Sequence, residues 1–267
     1  MPDLPALTNG IDREWLEELA TRDPILHAYA LWDYHYFPDR TQFVTLSRGG
    51  RPKCYLLTWI SPADIPTSHW ISRDTDDELL VSALPPRPLT VVAPERVVKK
   101  VLAARGPATL SRVDLMEHHG DSKLLRPTSI TVRRLTGADR PLVHRLLEKG
   151  PEALREGMQH VDLDTKMLWG ALEGQELASI VHASVTLPTA WILNAVYTGE
   201  QFRGKGYCKA VVTAATRAGL ETGAHVGLYV FADNLPAHRA YERVGFRVIE
   251  QKVIIDANDR PRPANTL

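Results

Sequence analysis

The stretch Val196-Tyr197-Thr198-Gly199-Glu200-Gln201-Phe202-Arg203-Gly204-Lys205-Gly206-Tyr207 constrains this chain more than any other. It reads as the end of an apolar strand, a short basic glycine loop and the start of a helix. Gly204 and Gly206 leave the backbone uncovered, so several N–H groups can point at one anion. A helix beginning near Lys205 adds the positive end of its dipole. Arg203 and Lys205 add full charges. That order predicts a phosphate cradle. It is not a dinucleotide fingerprint, because G-x-G-x-x-G needs a third glycine and position 209 is Lys. It is not a Walker loop either, since no Gly-Lys-Ser/Thr follows the required gap. By itself, a G-x-G of this kind is shared with many plain strand-to-helix turns.

A second segment narrows the reading. Leu228 to Phe246 spells a strand, a capped helix and a glycine stop. Asp233 and Asn234 are good N-cap residues, and Pro236 suits a first helical turn. Ala237, Ala240, Tyr241 and Val244 recur at helical spacing and share one face. Gly245 sits where a left-handed residue ends a helix.

Together the two segments resemble the GNAT superfamily of acyl-CoA-dependent N-acyltransferases. The first matches its Q/R-x-x-G-x-G/A motif as Gln201-Phe202-Arg203-Gly204-Lys205-Gly206. The second matches its Asn…Ala…Tyr…Gly-Phe motif as Asn234, Ala237 or Ala240, Tyr241 and Gly245-Phe246. The resemblance covers residues 128 to 256, about half of the chain. Gly199-Glu200 departs mildly from the family, where prolines are common.

Elsewhere the composition excludes more than it selects. Among 267 residues, 32 basic side chains balance 32 acidic ones, so bulk charge draws the chain toward neither nucleic acid nor an anionic membrane. Two cysteines, Cys54 and Cys208, lie far apart without metal-like spacing, as expected of a reduced cytoplasmic chain. The N-terminus lacks the basic and apolar regions of a signal peptide. No apolar run reaches the roughly 18 residues of a membrane span. His118-His119 has no carboxylate or cysteine at ligand spacing, so no metal is expected.

Periodicity predicts an α/β chain with a mixed sheet. Residues 125–267 parse as β-α-α-β-β-β-α-β-α-β, the GNAT order, with a capping box at Thr136 and Asp139 and a final strand pair in Phe246 to Ile255. Residues 1–124 read as helix, helix, hairpin, strand, helix, strand, helix. That echoes the second half without its motifs, as a degenerate GNAT-like copy would. The stretch between Arg73 and Asp76 holds no G-x-G. The boundary is expected in the polar segment Gly120 to Pro127.

The resemblance implies an acetyltransferase that moves an acetyl group from acetyl-CoA to a primary amine of a small molecule or amino acid, by direct attack in a ternary complex. Backbone N–H groups of Arg203, Gly204, Lys205, Gly206 and Tyr207 would hold the pyrophosphate. Main-chain groups of Val196 and Thr198 would pair with the pantetheine arm like an added strand. Tyr241 is the implied general acid; its alternative is a core aromatic. Asn234 is a cofactor contact, a plain N-cap, or both. Candidates for the base are His182, Glu176, Asn194 through water, Glu152 and Glu156. A satisfied strand histidine is the alternative for His182, and a water chain the alternative to any single base. Cys208 reads as a small packing residue. Trp15, Trp32, Tyr34, Tyr36 and Phe37 form an N-terminal aromatic patch, either core or acceptor-site wall. A longer acyl-CoA donor and a CoA-binding sensor without turnover are the competing functions.

Overall fold

The computed structural model describes residues 4–61, 64–72, 77–126, 128–159 and 161–258. They form two compact units. The first takes the described residues up to Val113 and returns at Gln251; the second runs from Asp114 to Glu250.

The first unit carries β1 (Pro5–Asn9), α1 (Arg13–Arg22), α2 (Ala28–Tyr36), β2 (Thr41–Arg48), β3 (Arg51–Ile60), β4 (Pro66–Ile71), a 3-10 segment (Asp77–Ala83), β5 (Thr90–Ala93) and α3 (Val98–Arg105). β6 (Thr109–His118) begins there and ends in the second unit. The second unit continues with β7 (Thr131–Arg134), α4 (Arg140–Leu147), α5 (Glu152–Gln159), β8 (Met167–Glu173), β9 (Glu176–Thr186), β10 (Ala190–Thr198), α6 (Tyr207–Glu221), β11 (His225–Phe231) and α7 (Leu235–Glu242). β12 (Phe246–Asp256) starts in the second unit and finishes in the first.

Both units thus repeat one order, with the 3-10 segment standing where the second unit has α6. Their sheets repeat as well. The first runs β1-β2-β3-β4-β5-β12, antiparallel apart from the parallel pair β4–β5. The second runs β7-β8-β9-β10-β11-β6-β12, and β10–β11 is again parallel between antiparallel β7 to β10. The fold is mixed α/β with mixed sheets, as the sequence predicts.

Alternation along β9 shows how the second sheet is covered. Ile180 joins Leu168 and Tyr197 against Val143, Leu146 and Leu147 of α4. Val181, its neighbour, joins Trp169, Trp191 and Val226 in the layer that packs Val211, Val212 and Ala215 of α6. Successive side chains of a strand point to opposite faces, so a strand covered on both sides reads as one apolar run. In the first unit, Val253 and Ile255 of β12 complete the core around Leu56, Trp70 and Val91.

Several boundaries differ from expectation. The final strand pair is one strand, because no turn residue breaks the chain from Phe246 to Asp256, and it stands between β5 and β6 in the strand order. β1 is absent from the sequence reading: Pro5 discourages a strand, yet this strand lies on a sheet edge, where a missing donor is tolerated. β6 was missed too, since it is flanked by strands on both sides and loses clean alternation. The helix expected from Asp76 is a 3-10 segment from Asp77, and the one expected from Pro94 starts as 3-10 before α3. Residues 73–76, where the sequence lacks a glycine loop, lie outside the described residues, as does Pro127. The units divide after Val113, upstream of the polar segment from Gly120.

The capping box forms as expected. Thr136 caps the 3-10 turn ahead of α4, and the Thr136 N–H donates to Asp139 Oδ2 at 2.9 Å. Arg133 clamps the same carboxylate with two N–H donors, 2.7 and 2.6 Å away. These bonds hold the buried Asp139 carboxyl down at about 2, the Arg133 bond being the largest cause. Its stability contribution is present above the unfolded carboxylate range and is lost as pH falls toward 2. Asp139→Asn is expected to destabilise the protein by roughly 1–3 kcal/mol at pH 7. Urea denaturation should show that deficit at pH 7 and a smaller one near pH 2.5.

Candidate active site

Parallel pairing between β10 and β11 links Ala190 to His225 and runs to Leu193 opposite Leu228, where it ends. β10 itself continues to Thr198 and β11 to Phe231. On its other side β10 stays paired with β9, but the register slips between Asn194 and Tyr197. Ala195 takes a positive φ of 50° there, and its N–H is held by the Asn194 side-chain oxygen at 2.8 Å. A non-glycine residue in this region stores about 1–3 kcal/mol of strain, which the surrounding strands must impose.

The slip decides which way the backbone faces. The Gly199 N–H donates to Ala178 O across the β9 side. Main-chain groups alternate in direction along an antiparallel strand, so those of Tyr197 also face β9. Those of Val196 and Thr198 face the opposite edge, where β11 has parted. The Thr198 carbonyl on that edge accepts from Arg203 Nε at 3.3 Å, which leaves its second lone pair for a guest.

Beyond β10, a 3-10 turn covers Glu200–Phe202 and buries the Phe202 ring. The Arg203 N–H closes that turn on Glu200 O at 3.2 Å, so it is not among the open donors. Gly204 and Gly206 follow with φ of 77° and 91°. A Cβ at Gly204 would meet nothing within 4 Å, so backbone conformation, not crowding, selects glycine. Gly206 is the N-cap of α6, which therefore starts at Tyr207, two positions later than Lys205. Among the described residues no acceptor takes the N–H groups of Gly204, Lys205, Gly206 or Tyr207.

Charge around the loop is partly spent. Lys205 Nζ lies 3.1 Å from Glu173 Oε1, and the Tyr207 hydroxyl donates to the same oxygen at 2.8 Å. Both contacts push the Glu173 carboxyl below its usual range, the tyrosine bond most. Lys205 thus braces the loop against β8. A cleft of about 300 Å³ opens beside the loop, walled by Thr198, Phe202 and Arg203 through Lys209 on one side (Lys205 excepted) and by Pro236, Arg239, Ala240 and Arg243 of α7 on the other. Lys209, Arg239 and Arg243 were missed by sequence reasoning. Nothing local marks them, because only folding turns α7 toward the start of α6.

Asn234 caps α7, its side-chain oxygen accepting from the Ala237 N–H at 3.3 Å. Tyr241, on the second turn from that cap, is buried, and burial raises its phenol well above the usual value. The phenol stays protonated at any physiological pH. Cys208 lies near enough to Tyr241 to add to that rise, and burial pushes its own thiol up to about 12. A thiol held neutral packs and does not attack.

The base candidates separate. Glu176 pairs with Glu173 at the far hairpin of β8 and β9. Glu152 and Glu156 are exposed on α5, and Glu152 lies 4.0 Å from Arg155. His182 sits opposite Asn194, at the start of the register slip. Among the described residues its buried Nε2 has no hydrogen-bond partner, unlike that of a satisfied strand histidine. Burial, with Lys166 nearby, lowers it to about 4. His118 is different: it accepts at Nδ1 from the Gly120 N–H and donates from Nε2 to Val244 O, at 3.0 and 3.1 Å. Both nitrogens are engaged in holding the end of α7. Among the described residues no group of three or more His, Cys, Asp or Glu is placed to bind a metal ion. The aromatic patch of the first unit is mixed: Tyr36 and Phe37 are exposed, whereas Trp15 packs edge-on against buried Tyr55.

The His182 shift carries a pH dependence. The fold favours the neutral ring, so its contribution is full above pH 6.5 and declines as pH falls toward 4, at up to about 1.4 kcal/mol per pH unit. Asp33 of the first unit, raised by burial to about 7, acts oppositely, and His69, lowered to about 4, acts alike. His182→Gln removes only its own share. Chemical denaturation at pH 7 and pH 5 should therefore show a smaller loss of stability for the variant than for the parent.

Comparison with known proteins gives a consistent picture. Residues 139–246 match the profile of the acetyltransferase (GNAT) family. A mycothiol acetyltransferase from Corynebacterium aurimucosum is 33% identical over 120 residues, which span 40% of this chain and 39% of that protein. The match therefore covers about two fifths of that relative's length. Among solved structures, a Drosophila protein superposes with a TM-score of 0.66 at 14% identity, over 95% of this chain and 99% of its own. A GCN5-related N-acetyltransferase from Sphaerobacter thermophilus gives 0.61 at 15% identity, with both chains fully covered. A tandem GNAT protein from the clavulanic acid biosynthesis pathway gives 0.59 at 15% identity, over 97% of this chain and all of its own. At such identities the structures speak for the fold, and they extend it over both units. The sequence match to the GNAT acetyltransferase family thus lies in the second unit, at residues 139–246.

Proposed function

We propose that this protein transfers an acetyl group from acetyl-CoA to a primary amine of a small molecule or an amino acid. The observation that carries the reading is the edge of β10 running directly into the loop of open N–H groups. One guest that ends in a diphosphate and carries an amide-bearing arm fits both at once. The arm lies along Val196 and Thr198 as an extra strand. The diphosphate lies over Gly204, Lys205, Gly206 and Tyr207 at the start of α6, where backbone donors and helix dipole favour anions. Arg203 contributes its side chain there rather than its N–H.

Chemistry follows in the gap where β10 and β11 part. The amine nitrogen attacks the thioester carbonyl carbon, forming the C–N bond and placing negative charge on oxygen. A main-chain N–H near the slipped register steadies that charge, as preorganised donors do in acyl transfer. The C–S bond then breaks. The departing thiolate takes the proton of the Tyr241 hydroxyl, and the excess proton on nitrogen leaves to solvent or to a neighbouring base. Tyr241 is reprotonated from water. A buried phenol with a raised pKa suits this role, because it reaches the reaction already carrying its proton. Asn234 serves as the N-cap that aims α7 and, with it, Tyr241.

Isothermal titration with acetyl-CoA, followed by thiol release across a panel of small amines, tests the reading. Tight binding with release for one amine class supports it. Binding without release for any amine favours a sensor of CoA, and release only with longer acyl donors changes the donor. Tyr241→Phe is expected to lower kcat by about 100-fold or more while leaving the KM for acetyl-CoA within about twofold. Steady-state kinetics with both substrates varied gives both numbers.

A further inference from the structure

We propose that Arg239 and Arg243 of α7, together with Lys209 of α6, read the 3′-phosphate of the coenzyme A donor, so that the protein selects 3′-phosphorylated CoA over its dephosphorylated form. The proposal rests on the reading of the donor as an acyl-CoA. It concerns residues outside both sequence motifs.

The geometry comes first. Four cationic side chains, Arg203, Lys209, Arg239 and Arg243, line the cleft beside the loop. Only Arg203 has its charge engaged, by the Thr198 carbonyl and by Glu200 at 3.9 Å. Lys205, the other cation of the motif, belongs to Glu173 and is not part of the cleft wall. Among the described residues no carboxylate pairs with Lys209, Arg239 or Arg243.

That arrangement is unfavourable by itself. Arg239 and Arg243 are four residues apart on one helix face, where like charges repel. The end of α7 offsets some of this, because cations suit a helix C-terminus. Lys209 has no such relief: it stands in the first turn of α6, where the dipole disfavours a cation. An anion seated between the two helices removes all of these penalties together.

The diphosphate does not use this capacity up. Its two negative charges are met by the backbone donors and the positive end of the α6 dipole. A phosphomonoester brings a further charge of about −1.5 to −2 and three acceptor oxygens. Two arginine forks and one ammonium match such a group in charge and in donors. Pro236 and Ala240 lie on the same α7 face and give the nucleoside an apolar floor between them.

The test compares acetyl-CoA with acetyl-dephospho-CoA, which differ only in that phosphate. Titration of the full-length protein should show acetyl-CoA bound roughly 10- to 100-fold more tightly. In the double variant Arg239→Gln/Arg243→Gln the ratio of the two dissociation constants should fall toward one. Added salt should weaken acetyl-CoA more steeply than the dephosphorylated donor for the parent, and equally for the variant. Equal affinities in the parent overturn the proposal while leaving the acyl-CoA reading intact. An undiminished ratio in the double variant overturns the assignment to α7. Binding of neither donor overturns this proposal and the donor reading together.

Discussion

The parting of β10 from β11 after Leu193 and Leu228 is the constraint on which the candidate site depends. Two parallel strands that stayed paired would consume each other's backbone donors and acceptors. By separating, they leave the Val196–Thr198 edge open without leaving the strand unsupported, because β9 still holds its other side. The register slip at Asn194 is the local means, and the positive φ of Ala195 is its strained point. Asn194 offsets part of that strain by accepting the Ala195 N–H. The helices on either face of the sheet prevent the gap from closing by collapse, since Tyr197 is pinned in one layer and Trp191 in the other.

Electrostatics divide labour among cations that look equivalent in sequence. Lys205 is the conspicuous charge of the glycine loop, yet Glu173 and Tyr207 make it a brace for that loop. The charges that face the cleft come from Arg203 and from positions that no motif marks. Titratable groups deeper in the unit are held neutral by burial: the Tyr241 phenol, the Cys208 thiol and the His182 ring. The site therefore combines a cationic mouth with an interior whose ionisable groups keep or lack their protons across the physiological range.

Much of this was legible in the chain before folding. Glycine at 204 and 206 announces an uncovered backbone, and the N–H groups of both have no acceptor among the described residues. Asn234, Pro236 and Gly245 announce a cap, a first turn and a stop, and α7 has all three. Thr136 and Asp139 form their box, although the part played by Arg133 in clamping it was not foreseen. Less legible were β1, β6 and the unity of β12. An edge strand can tolerate proline, a central strand need not alternate, and a strand that passes from one unit to the other carries no local sign of the change. Arg239 and Arg243 carry no motif signal, and nothing within a few positions sets them apart from other charged residues.

The sequence by itself determined the local conformations: where the backbone turns left-handed, where helices start and stop, and which faces are apolar. Those depend on residues a few positions apart, so short-range sterics and capping suffice. Only the tertiary structure decided which charges remain available, since that depends on Glu173 reaching Lys205 from another strand and on no carboxylate among the described residues reaching Arg239. It also decided that the buried His182 Nε2 has no partner among the described residues, and that the last strand returns to the first unit. That return follows from burying apolar side chains such as Val253 and Ile255, whose partners lie more than a hundred residues away in the chain.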